Sequence, residues 1–150
     1  MRTRVTAEAR ETTGTTTLTT PMTATAPHGT AAPGELEARF CLLAAAGDVD
    51  GLTRLYAADA VVSLPRGREA AGHTAIRAAF AEALAAGVRW AEPDSVRVIE
   101  TGPLAMTCST SPDGVVSTQV ARREPDGRWV WVRDGSHLRC AAAAALLGAA

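Results

Sequence analysis

Lysine does not occur in this 150-residue chain, aromatic residues make up 4% of it, and cysteine appears three times. Arginine therefore supplies all the side-chain positive charge, and the formal net charge of -1 leaves no basic footprint for a nucleic acid or an anionic membrane. Cys41, Cys108 and Cys140 are odd in number and widely spaced, which fits neither a disulfide framework nor a zinc pattern. Reduced thiols in a cytoplasmic protein are the expectation. No stretch approaches the roughly 20 apolar residues that span a bilayer, and the N-terminus lacks the apolar core of a signal peptide. No His, Cys, Asp and Glu set has metal-ligand spacing, and no glycine-rich phosphate loop occurs. Neither a metal nor a cofactor is expected.

What is present is 47% apolar residue content, enough for one domain with a real core. Residues 1–34 hold twelve threonines and three prolines with little that is large and apolar. Such a segment cannot offset its ordering entropy and reads as a disordered tail. Met22 is an alternative start. Residues 35–140 form the expected domain, and 141–150 an Ala-rich tail to which no role is assigned.

From Glu35 onward, Leu36, Phe40 and Leu43 recur on one helical face that Gly47 ends. Asp48 suits the N-cap of a second helix with Leu52, Leu55 and Tyr56 as its buried stripe. Val61, Val62 and Leu64 make a short strand stopped by Pro65, and Thr74 caps a third helix carrying Ile76 and Phe80. The period then switches to two. Val88–Ala91, Val96–Thr101, Leu104–Thr110, Val115–Arg123 and Trp129–Leu138 read as strands, with Asp113-Gly114 and Asp126-Gly127 as hairpin turns. Helices followed by an antiparallel meander argue for an α+β fold in which a curved sheet and its helices enclose a cavity.

The stretch AAAGDVDGLTRLYAADAVVSLP, then GHTAIRAAF, then PDGRWVWVRDGSHL, resembles the nuclear transport factor 2-like superfamily. Its steroid delta-isomerase, SnoaL-like polyketide cyclase and enediyne-associated actinobacterial branches are the most similar, over residues 35–138. The resemblance implies a cone-shaped, cystatin-like α+β barrel of three N-terminal helices against a curved antiparallel sheet, with an apolar cavity and frequent dimerisation through the outer sheet face. It also places Leu64 where the isomerases carry their basic carboxylate, Phe40 where they carry a tyrosine, and Gln119 where they carry a protonated aspartic acid. Steroid-type isomerisation is therefore not expected. Limonene-epoxide-hydrolase-like chemistry needs an acid that Arg97-Val98-Ile99 lacks.

Period-two counting along the last strand puts Val132, Asp134 and Ser136 on one face and Trp131, Arg133 and His137 on the other. The resemblance makes the first set the cavity face. A carboxylate in an apolar cup loses hydration and suits proton transfer near neutrality; equally, Asp134 can serve as a structural acceptor for Tyr56, Gln119 or an amide. Gln119 or Tyr56 would steer a substrate carbonyl, and Phe40, Leu64, Trp90, Ser117, Val132 and Ser136 would line the substrate site. Trp129, Trp131 and His137 would form an outer patch suited to a homodimer. Arg66 and Arg68 fall on the lip loop, His73 at a helix start, and Cys108 in an inert buried position.

Two readings of function follow. One is a cofactor-independent SnoaL-like enzyme, a cyclase, isomerase, dehydratase or hydrolase, acting by acid–base chemistry on an apolar, oxygenated, polyketide-type molecule. The Ala- and Arg-rich composition favours a high-GC actinobacterial source and secondary metabolism, by analogy alone. The other is a non-catalytic small-molecule-binding or dimeric accessory protein of the same fold.

Overall fold

The computed structural model describes residues 28–137. Helix α1, Leu36–Ala46, buries Leu36, Phe40, Cys41, Leu43 and Ala44, and it stops at Gly47, whose φ of 69° lies in the left-handed region that glycine enters without steric cost. Asp48 caps α2, Val49–Thr53, accepting the Gly51 N–H at 2.7 Å. The chain then enters β1, Tyr56–Ser63. Tyr56 is thus a strand residue, not a helical one. Its spacing from Leu52 mimics a helix, but the Trp131 N–H donates to the Leu55 carbonyl at 2.8 Å and draws the chain into the sheet.

After β1 the chain turns at Pro65–Gly67, where Arg66 takes φ 64°, and returns as a short strand, β2 (Glu69–Ala71), that sequence patterning did not reveal. Helix α3, Gly72–Ala85, starts before Thr74, which does not cap it, and buries Ile76 and Phe80 against the sheet. The sheet continues with β3 (Ser95–Thr101), β4 (Leu104–Thr110), β5 (Val116–Arg123) and β6 (Trp129–Asp134). The run Val88–Ala91, expected as a strand, has no regular structure. Its first N–H, from Val88, closes α3 onto the Ala83 carbonyl at 3.0 Å. Pro93 has no N–H to offer a ladder.

Strand order is β2-β1-β6-β5-β4-β3, antiparallel throughout except for the parallel β1–β6 pair. The expected α+β architecture of three helices on a curved sheet holds, with that one parallel pairing added. Among the described residues no helix is long and apolar enough to cross a membrane.

One irregularity resets the faces of β6. Ala121 pairs with Trp131, and the next β5 residue, Val120, pairs with Arg133, so Val132 is an extra residue in the ladder. Trp131 and Asp134 therefore share the cavity side although they are three positions apart. Val132, expected in the cavity wall, instead packs against the core without lining the cavity. His137, expected on the outer face, lines the cavity. The outer tryptophan patch does not exist, because Trp129 and Trp131 are 4% and 1% exposed. β6 also ends at Asp134, and Leu138 lies outside the described residues.

Residues 28–34, assigned above to the tail, belong to the fold. Thr30 bridges to Trp129, Gly29 N–H donates to the Arg54 carbonyl at 2.9 Å, and Arg128 holds the Gly29 carbonyl at 2.9 Å. The rest of that tail and the tail at 141–150 lie outside the described residues.

Candidate functional site

Between the sheet, α1 and α3 lies a cavity of about 580 Å³, within the range of small-molecule sites. The chain has three Trp, two Phe and one Tyr, and all of them but Trp129 line this space. Phe40 is central: its ring meets Phe80 and Trp90 edge-on at 5.6 and 5.4 Å between centroids, and Trp131 at 6.0 Å. Helix α1 thus contributes a ring that braces the apolar wall. The lip is made by Leu64 and Pro65, by the irregular run that includes Arg89 and Trp90, and by the β4–β5 turn with Asp113. Arg66 and Arg68 are exposed and do not line it.

The opposite wall is polar. Tyr56 donates its hydroxyl to Asp134 Oδ2 at 2.9 Å, while the Ser136 N–H donates to Asp134 Oδ1 at 2.9 Å and the Ser136 hydroxyl to the same oxygen. Gln119 Nε2 donates to Ser136 Oγ at 3.2 Å, Thr107 Oγ1 donates to Gln119 Oε1 at 3.0 Å, and Trp131 Nε1 donates to Thr107 Oγ1 at 3.2 Å. Burial, with the Asp134 carboxylate adding to it, holds the Tyr56 phenol well above its ordinary range. Tyr56 therefore keeps its proton and acts as a donor.

Asp134, Gln119, Tyr56, Phe40, Leu64, Trp90, Ser117 and Ser136 all line the cavity. The residue that sequence reasoning missed is Glu37, on the first turn of α1. Burial pushes its carboxyl up from 4.5 to about 7, Asp134 adds repulsion, and a hydrogen bond from Ser109 works against both. A signal for it existed: Glu37, Phe40, Cys41 and Ala44 stand at i, i+3, i+4 and i+7, so the acid lies half-buried on the same helical face as three buried residues. Burial also pushes the Cys41 thiol up to about 11, with Glu37 and Glu92 contributing, which suits an unreactive core cysteine. Cys108 is half-buried, not fully enclosed. His73 is exposed at the helix start, with Nε2 2.8 Å from the Tyr56 carbonyl. Among the described residues no group of His, Cys, Asp and Glu is arranged to hold a metal ion.

A family model described as SnoaL-like domain matches residues 38–143. An NTF2-like protein with a cystatin-like fold from Novosphingobium aromaticivorans is 28% identical, with a TM-score of 0.55 over 76% of this chain and 85% of its own. A cystatin-like-fold protein of unknown function from Nostoc punctiforme is 18% identical, with a TM-score of 0.57 over 67% of this chain and 83% of its own. An NTF2-like protein from Streptomyces avermitilis, provisionally described as a dehydratase, is 20% identical, with a TM-score of 0.54 over 67% of this chain and 90% of its own. Comparison with curated proteins yields no match.

Proposed function

This chain belongs to the SnoaL-like family, and from that premise we propose that it is an enzyme that moves protons on an apolar, oxygenated, polyketide-type small molecule, with no cofactor in the reaction. One observation carries the reading: Glu37 and Asp134 both line a largely apolar cavity, and burial holds one of them near neutrality. General acid–base catalysis is most effective when the acid's pKa lies near the working pH. Two carboxyl groups in different environments divide the roles of acid and base.

In this reading Asp134 takes a proton from a carbon next to a carbonyl, and protonated Glu37 delivers its own to a substrate oxygen. For a dehydration the C–H and C–O bonds break, a C=C bond forms, and the hydroxyl leaves with the Glu37 proton as water. Isomerisation and cyclisation use the same pair. The Streptomyces avermitilis relative supports a dehydration. Gln119 and Tyr56 have their polar atoms engaged within the protein, so they hold Asp134 in place. Service in secondary metabolism is part of the proposal. So is a homodimer on the outer sheet face, where Ile99, Met106 and Val120 are in register and Ile99 and Met106 are 68% and 49% exposed.

The test is a panel of β-hydroxy ketones and enolisable polycyclic ketones incubated in heavy water and followed by mass spectrometry. The wild type is expected to incorporate deuterium or eliminate water, with a rate that falls as pH rises through about 7. Glu37→Gln and Asp134→Asn should each slow it about 100-fold or more. Turnover untouched by both substitutions refutes the reading. Ligands that raise the melting temperature and emerge unaltered make the protein a binder instead.

A further inference from the structure

Across β4, β5 and β6 the side chains of Trp131, Thr107, Gln119, Ser136 and Asp134 are bonded each to the next. We propose, building on the acid–base reading above, that this run is a one-way hydrogen-bond relay, polarised by the Trp131 indole, which holds Asp134 of the resting site as a hydrogen-bond acceptor and leaves Glu37 as the carboxyl that carries the proton. Thr107 and Gln119 are positioning residues of the site.

The direction follows from the donor inventory. An indole N–H can only donate, and it points at Thr107 Oγ1 where both residues are buried, at 1% and 2% exposure. Thr107 has one hydroxyl proton, which goes to Gln119 Oε1. That contact fixes the orientation of an amide whose two ends otherwise look alike. With its oxygen turned to Thr107, Gln119 presents its NH₂ to Ser136, whose oxygen accepts and whose own proton goes to Asp134. Tyr56 occupies the other carboxylate oxygen. A proton placed on Asp134 would oppose one of these donors, and the run cannot reverse because the indole at its far end has no lone pair to offer. Reversal would leave a buried polar group unpaired, which costs more than a hydrogen bond gains.

The ionisable groups around Asp134 are few. Glu37 comes from α1, Tyr56 from β1 and His137 from the segment after β6, with Arg89 and Asp113 at the lip. Helix α3 presents Ala79, Phe80 and Ala83, none of them charged. Apart from Asp113 at the lip, Glu37 is thus the one other carboxyl lining the cavity, and it is the one placed to carry the proton.

The experiment is a pH titration of ¹³C-labelled Glu and Asp side-chain carboxyls by NMR on the full chain, which needs no substrate. Thr107→Val keeps the side-chain shape and removes the hydroxyl, Thr107→Ser restores it, and Trp131→Phe removes the indole donor while keeping an aromatic ring. In the wild type and in Thr107→Ser, Glu37 should titrate near neutrality. In Thr107→Val and Trp131→Phe the broken run no longer fixes Asp134 as the acceptor, and the Glu37 midpoint should fall by on the order of one pH unit, the size of a single net hydrogen bond. Val and Phe variants that titrate like the wild type overturn the relay and leave the acid–base reading standing. A wild type in which Glu37 does not titrate near neutrality overturns both.

Discussion

Glu37 shows how much one residue's neighbours decide. A glutamate in the first turn of a helix is ordinarily a solvated group that favours the N-terminal dipole. Here it lines the cavity half-buried, and the same residue keeps its proton up to about pH 7. The consequence for stability has a definite sign. Folded Glu37 binds its proton more tightly than the unfolded chain does, so between 4.5 and about 7 the native state holds more protons. The stability it contributes is fully present below 4.5 and is lost as pH rises through about 7. Glu37→Gln should therefore gain stability over the wild type as pH rises through that window, by on the order of 1–3 kcal/mol at pH 8, read from denaturant unfolding at a series of pH values. A difference independent of pH would contradict the burial argument. Asp134 was legible at this scale because counting along the last strand, read with the family resemblance, put it on the cavity face. Glu37 was not, because a stripe counted from Leu36, Phe40 and Leu43 passes beside it and leaves out Cys41.

At the scale of the elements, the lesson is in β6. Strict alternation placed Trp131 outside and Val132 inside, and the ladder residue added at Val132 inverted both assignments. A bulge is a choice between two registers made by the neighbouring strands, and a single sequence carries no mark of it. The N-terminal strap is a second case. Its backbone lies so close to β6 that a Cβ built on Gly29 would stand 2.2 Å from the Trp129 carbonyl oxygen, at a φ of +61°. Gly29→Ala should cost about 1–3 kcal/mol and expose Trp129, seen as a lower melting temperature and a red-shifted tryptophan emission. An unchanged melting temperature would mean that the strap does not hold the sheet end. The threonine-rich composition around it had read as tail, because pairing through backbone groups leaves no trace in side-chain patterning.

On the scale of the whole molecule, the sheet has a polar-and-aromatic inner face committed to the cavity and an outer face where apolar side chains meet water. The dimer reading makes a simple forecast: the wild type should sediment as a dimer, and Ile99→Glu combined with Met106→Glu as a folded monomer, since a stable pair cannot bury like charges facing each other. Identical masses for the two would remove that interface. What the sequence determined alone is the α+β class, the helix boundary at Gly47, the capping by Asp48 and the two Asp-Gly hairpins, because each rests on local preferences that act within a few residues. What only the tertiary structure decided is the parallel β1–β6 pairing, the bulge that turns Trp131 inward and the meeting of Glu37 with Asp134. Those depend on which distant segments pack together, and the desolvation that changes a carboxyl's chemistry exists only once they do.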